Sequence, residues 1–382
     1  MPLWLWGALA DLAGLRAATK LIVWASLMLG LLGSCAVLRA QGKPVVLALL
    51  SMPFVYASAF YLGLVPCMLS MSLALWAIAW LLRGQTLCLA AVSCIIPLTH
   101  PAGMIGVLLF AACHVLAHGR SWRQAVAPLW PLTPLALGAV FWLNASLHAD
   151  GVAGPHWPGL VTRIMRAPRL LLGGWNGEGD AWLLAAASVV WLYLCRPMSP
   201  RESLGTLASW CFAALLFLAY FLLPGSTGSS SAICERAGGA LLLWLPMLVP
   251  NIGLTAARQR GPLLLVALAA STCWYTSTHL IAFNDEAQHF DAVLAKMPAR
   301  PKLWTLAYDS QGALACSNPY VHIAAYAQAE RGGFLSLSHV DYAWAIPFAA
   351  KTLPLPRQCT ARSGIRTSCK HSSTCTASTT TS

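Results

Sequence analysis

Apolar residues along this chain come in long runs broken by short polar stretches, with neither the two-residue alternation of half-buried strands nor the narrow stripe of a surface helix. Runs at 17–38, 44–63, 66–82, 86–98, 103–117, 125–146, 181–196, 205–223, 239–257 and 262–281 each read as one helix. The pattern is clearest over 85–117, QTLCLAAVSCIIPLTHPAGMIGVLLFAACHVLA, which holds no Asp, Glu, Lys or Arg. A membrane span needs roughly 20 apolar residues, so this stretch is too long for one upright helix and suits two short ones. Pro97 and Pro101 remove backbone donors and Gly103 tolerates positive φ, so a helical hairpin is expected to turn at Thr99 to Gly103, with His100 at its tip.

Composition sharpens this reading. The chain is 58% hydrophobic and 9% charged, with a mean hydropathy of +0.65, whereas soluble domains carry about 25% charged residues. The expected fold class is therefore an all-α polytopic membrane helix bundle of about ten spans. Arg39 and Lys43, Arg83, Arg120 and Arg123, Arg196 and Arg201, and Arg258 and Arg260 occupy alternate connections, which the positive-inside rule places in the cytoplasm. Both termini and the intervening connections then face outside, and so does every acid except Glu202. Residues 1–16 lack the basic start and cleavage site of a signal peptide. The net charge of +12 is spread over short loops, so anionic lipid of the bilayer, and no nucleic acid, is the expected counterpart.

After residue 281 the pattern becomes that of soluble structure. Residues 284–297 read as an amphipathic helix with Asn284 as a possible N-cap, 303–308 as a strand, and 321–334 as a helix closed by Gly332-Gly333. The expected organisation is a transmembrane bundle over 1–281, a small soluble extracytoplasmic α/β module over 282–357, and a Ser/Thr/Cys-rich tail over 358–382. Such a tail cannot bury apolar surface and is expected to be disordered, and its abrupt onset after Arg357 suggests a shifted reading frame. Most of the thirteen cysteines sit singly inside apolar runs as small hydrophobes, and the absence of C-x-x-C argues against a zinc or dithiol site. No metal and no cofactor is expected.

Polar candidates gather on the outer side. The loop 147–180 carries Arg163, Arg166 and Arg169 at three-residue spacing, which on one interfacial helix places three guanidinium groups on a shared face able to meet a lipid phosphate, or simply resting on headgroups. Glu178 and Asp180 follow a glycine-rich turn as candidate acid, base or ligand groups. Glu235-Arg236 opens a span after a Gly/Ser linker, anchoring the helix or touching a ligand. His289, Asp309 and His322 are the candidate polar contacts of the C-terminal module, and His114 is the main ionisable group inside the spans.

Four stretches carry a resemblance: MPFVYASAFYLGLVPCMLSMSLALWAIAWLLRG, THPAGM, CERAGG and NPYVHIAAYAQAERGG. Together they resemble bacterial multi-pass membrane proteins of the GT-C glycosyltransferase type, over roughly residues 12–356. The resemblance implies an inner-membrane bundle with an outward-facing site that transfers a sugar from a polyprenyl-phosphate donor, using an acid in the first outer loop as base. That loop and the helix before it have no counterpart here, where only Asp11 precedes the first run. The chain is thus expected to be a truncated relative, with no catalytic residue assigned, that binds donor without turnover. His100, Arg163, Arg166, Arg169, Glu178, Asp180, Arg236 and His322 remain as substrate-binding candidates. A secondary transporter or permease, or a structural membrane subunit, is the alternative.

Overall fold

A computed structural model describes residues 3–118, 127–147, 154–165, 167–175, 178–195, 204–227, 230–231, 233–250, 260–303, 324–332 and 334–335. Within them the chain is mostly helical, and apolar throughout its longer elements. Helix α1 (Leu3–Ala13) precedes α2 (Leu15–Ala40), separated by Gly14 at φ 80°. A 3-10 turn (Val45–Ser51) and the short helices α3 (Met52–Val55) and α4 (Ser58–Tyr61) follow, then α5 (Val65–Arg83), α6 (Thr86–Ile95) and α7 (Pro101–His118). The chain continues through α8 (Thr133–Leu147), α9 (Leu160–Met165), α10 (Ala167–Leu171), α11 (Gly179–Leu194) and α12 (Leu204–Leu222). A two-residue antiparallel pair, β1 (Ser226–Thr227) and β2 (Ser230–Ser231), leads to α13 (Ile233–Leu248), α14 (Arg260–Ala287) and α15 (His289–Lys296). Last come β3 (Lys302–Leu303), α16 (Ala324–Arg331) and β4 (Phe334–Leu335).

Among the described residues, three helical stretches are long and apolar enough to cross a membrane: Leu15–Ala40, Val65–Arg83 and Arg260–Lys296. Six further apolar helices are shorter, among them Thr86–Leu98, Gly179–Leu194 and Leu207–Leu222. At 1.5 Å per residue a sixteen-residue helix reaches only about 24 Å, less than the roughly 30 Å of a hydrocarbon core. The ten expected runs thus all form helical structure where they are described, but most are short. The run 44–63 differs most. It is a 3-10 turn and two single-turn helices, with Tyr56 and Ala57 leaving the helical path between them. Leu47, Leu50, Pro53 and Phe54 are buried in it, so packing against α2, α13 and α14 holds a conformation that apolar composition alone does not reveal.

Small residues set the helix spacing. A Cβ added at Gly33 would meet Leu75 Cβ at 2.9 Å, and one at Gly103 would meet Ser70 Oγ at 2.3 Å, the kind of contact that lets helices approach when only packing draws them together. The hairpin of 85–117 turns at Thr99-His100, closely as expected, whereas Gly103 serves differently: it lies inside α7, at the contact with α5, with no positive φ. Trp76 Nε1 donates to Leu29 and Arg83 to Ala36, so α2 and α5 run parallel. Phe110, Phe212 and Trp244 form an aromatic centre with ring centroids 5.0–5.5 Å apart, where α7 lies parallel to α13 and antiparallel to α12.

Polar contacts gather at the two ends of these helices. At one end Gln41 Nε2 donates to Ser209 Oγ at 2.8 Å, and the buried Lys43 ammonium donates to the carbonyl of Met247 at 2.5 Å. Lys43 thereby caps the carbonyl end of α13, which favours a cation. At the other end Arg16, at the start of α2, pairs with Asp291 at 2.7 Å and with Glu330. Beyond residue 281 the expected N-cap at Asn284 is absent, because α14 continues unbroken to Ala287. Gly332 at φ 68° closes α16 as expected. The parallel pair of β3 and β4 covers two residues in each strand; the rest of the expected strand 303–308, and the tail 358–382, lie outside the described residues.

Replacing Gly103 by Val is expected to force α5 and α7 apart and lower stability by about 1–3 kcal/mol. Gly106→Val, where an added Cβ meets nothing within 4 Å, is the matched control. Thermal unfolding in detergent reads both, and equal melting temperatures would contradict the close-approach role.

Candidate functional site

The candidates of the 147–180 loop separate in the structure. Two short helices are described here, α9 ending at Met165 and α10 beginning at Ala167 with Pro168 in its first turn. Arg163 and Arg169 do not share one exposed face. Arg163 turns inward and is 2% exposed. Its Nε donates to Pro158 O at 3.1 Å, Nη2 to Leu223 O at 2.7 Å and Nη1 to Tyr220 O, while the Tyr220 hydroxyl donates back to Arg163 O at 3.0 Å. Its positive charge sits on the final carbonyls of α12, groups that lack intrahelical partners. Arg169 stays exposed on α10, while Arg166 and His322 lie outside the described residues.

The two acids after the glycine turn have unequal surroundings. Glu178 is exposed ahead of α11 and makes no side-chain capping bond. Asp180, in the first turn of α11, is 6% exposed and accepts the Gly174 N–H at 3.1 Å, which folds the turn back onto the helix. Negative charge at that helix end is also favoured by the helix dipole. His289 opens α15 on the surface, Asp309 is not among the described residues, and His114 stacks beside Phe110 with centroids 6.2 Å apart.

Two candidates that lie 136 positions apart come together. His100, at the tip of the hairpin, has Nε2 at 3.3 Å from Arg236 Nη1, in the first turns of α13. The turn is held firmly: Ser70 donates to the His100 carbonyl at 2.6 Å and accepts the Gly103 N–H at 3.0 Å. Burial, reinforced by the Arg236 charge, pushes the His100 pKa down to about 4. Arg236 and Glu235 line a cavity of about 50 Å³, enough for a few waters at ~10–15 Å³ each. Its other walls include Ser26 and Gly30 of α2, Phe54 and Ser58 of the broken segment, Ser72 of α5 and Gly239 of α13.

This cavity was only partly legible. Glu235 and Arg236 stood out as polar groups at a run's end, as did His100 beside Arg236, whereas Ser26, Ser58 and Ser72 did not. Their signal was a concentration of small polar residues inside otherwise apolar runs. Among the described residues no group of three or more His, Cys, Asp or Glu is placed to hold a metal ion. No protein-family model, curated protein or solved structure matches the chain.

Arg163→Met is expected to cost at least about 1.5–3 kcal/mol, the scale of one hydrogen bond to a charged group, because three carbonyls lose their donor. Differential scanning in detergent tests this; an unchanged melting temperature would mean that the guanidinium is dispensable to the fold. His100 adds a pH dependence. Its folded pKa of about 4 lies below the ordinary value of 6.5, so between these values the unfolded chain binds a proton that the folded chain does not. This contribution to stability therefore falls as pH drops from 6.5 to 4 and is level outside that window. His100→Gln should flatten the profile of melting temperature against pH there, and identical profiles would rule the effect out.

Proposed function

We propose that the protein is a multi-pass integral membrane protein of about ten spans in a bacterial inner membrane, with its N-terminus and the residues after 281 outside. In this reading the cavity beside Arg236 receives the phosphate end of a polyprenyl-phosphate sugar, as a glycosyltransferase-like protein of GT-C type would. The supporting observation is the convergence of His100, Glu235 and Arg236 at one end of the bundle, beside a cavity otherwise walled by small and apolar groups. A guanidinium suits a phosphate, and a carboxylate in the same cavity suits a sugar or acceptor hydroxyl. The alternation of basic connections agrees with the helix directions, since α2, α5, α7 and α13 run parallel and α12 runs against them.

A transport reading rests on one observation, the broken segment 45–61, because transporters bind their cargo at interrupted helices. Here, however, that segment meets the charged groups near the ends of helices rather than at mid-helix, which favours a lipid-facing site.

Two measurements test the proposal. Reporter fusions at Arg120, Gly228 and Ala313 should read inside, outside and outside, and an inside signal at Ala313 defeats the topology. The purified chain, incubated with a panel of polyprenyl-phosphate sugars, should show saturable binding without sugar release. Absence of binding to every member would refute the lipid-linked sugar reading, whereas substrate uptake into proteoliposomes would establish the transport one.

A further inference from the structure

The contact between His100 and Arg236 is short of an acceptor. The Ala102 N–H points at His100 Nδ1 at 3.1 Å, and Arg236 Nη1 stands 3.3 Å from Nε2. Both groups facing the ring are donors. A neutral imidazole has one lone pair and one N–H, so it can accept from only one of them. If Nδ1 accepts from Ala102, the ring proton sits on Nε2 and points at a guanidinium that has no lone pair to offer. If Nε2 accepts instead, Nδ1–H confronts the Ala102 N–H. Protonating the ring makes the mismatch worse. Arg236 Nε, meanwhile, is fully buried with no hydrogen-bond partner, and no carboxylate among the described residues pairs with Arg236.

Donors left without acceptors cost free energy, more so when one of them is charged. The neighbouring carboxylate does not relieve the mismatch: Glu235 Oε2 lies 3.2 Å from the Cys234 thiol instead. Ser70, which might have offered an oxygen, is committed to the backbone of the hairpin turn. The local surplus is thus of N–H groups, at a residue that lines a cavity.

We propose that His100 and Arg236 form a site for a single oxyanion, of the phosphate mono- or diester class, in which His100 serves as a neutral Nε2–H donor and Arg236 as the charged one. An anionic oxygen between the two side chains accepts from both, leaves Nδ1 free to keep the Ala102 N–H, and gives the half-buried guanidinium a counter-charge. The neutral state of His100 is part of the design, because a ring that accepts from its own backbone must hold its one proton toward the anion. The inference deepens the phosphate role given above to this cavity, and it assigns to His100 a binding function independent of what the phosphate is attached to.

Binding to the full chain in detergent is measured with two probes, inorganic phosphate and a short polyprenyl phosphate, for the wild type and for Arg236→Gln, His100→Phe and His100→Gln. Removing one charge-assisted donor should weaken binding by about ten- to a hundredfold, so Arg236→Gln and His100→Phe should both lose affinity. His100→Gln, whose amide keeps an N–H, should retain most of it. Melting temperatures of the same samples identify any variant that has not folded, and loss of phosphate binding in folded His100→Gln would overturn the N–H donor role given to His100. Inorganic phosphate competing with the lipid places both in this site; phosphate binding without lipid binding keeps the oxyanion site and overturns the lipid-linked reading. Lipid binding unchanged in folded Arg236→Gln and His100→Phe overturns the site while leaving that reading intact. Failure of both probes on the wild type overturns both.

Discussion

The polar end of this bundle depends on how near α7 can come to α5. Gly103 has no side chain at the point of contact, and so Ser70 reaches past it to hold both the His100 carbonyl and the Gly103 N–H. A bulkier residue would not merely loosen a helix pair. It would move the turn between Pro97 and Pro101, and with it the one imidazole that meets Arg236. Local packing at a glycine and the surroundings of an arginine on a different helix are therefore the same constraint seen from two places.

A second theme is how cationic side chains are used. Arg163 and Lys43 carry charge into the bundle, and both spend it on carbonyls at helix ends, α12 in one case and α13 in the other. Such ends keep carbonyls without intrahelical partners, and apolar surroundings offer no water to take their place. Arg236 is the contrast. It sits near the amino end of its helix, where the exposed groups are N–H donors, and it faces another donor in His100. The same residue type is structural at one helix end and chemically unsatisfied at the other because the polarity of the backbone reverses between them.

Much of the fold was legible because apolar runs and prolines are local signals. The hairpin of 85–117 and the closing glycine of α16 follow from a few adjacent residues. What escaped depended on distant partners. The run 44–63 has the composition of one helix, yet it breaks at Tyr56-Ala57 where it packs among α2, α13 and α14. The three-residue spacing of Arg163, Arg166 and Arg169 promised a common face, but carbonyls at the end of α12, 57 and 60 positions away, draw Arg163 inward. His100 and Arg236 were each visible as polar groups at run ends. Their meeting required knowing that α7 and α13 run parallel and start at the same end of the bundle, a fact that no stretch of either helix encodes alone.

The cap on α13 bears on the order of assembly. Lys43 and the Met247 carbonyl that it serves are 204 residues apart. During synthesis the ammonium is made long before its acceptor exists, and until α13 arrives it cannot be buried without a partner. The connection after α2 must therefore stay hydrated while most of the bundle is built, and the seam around residues 41–47 closes late, when α12 and α13 bring Ser209 and Met247 to it.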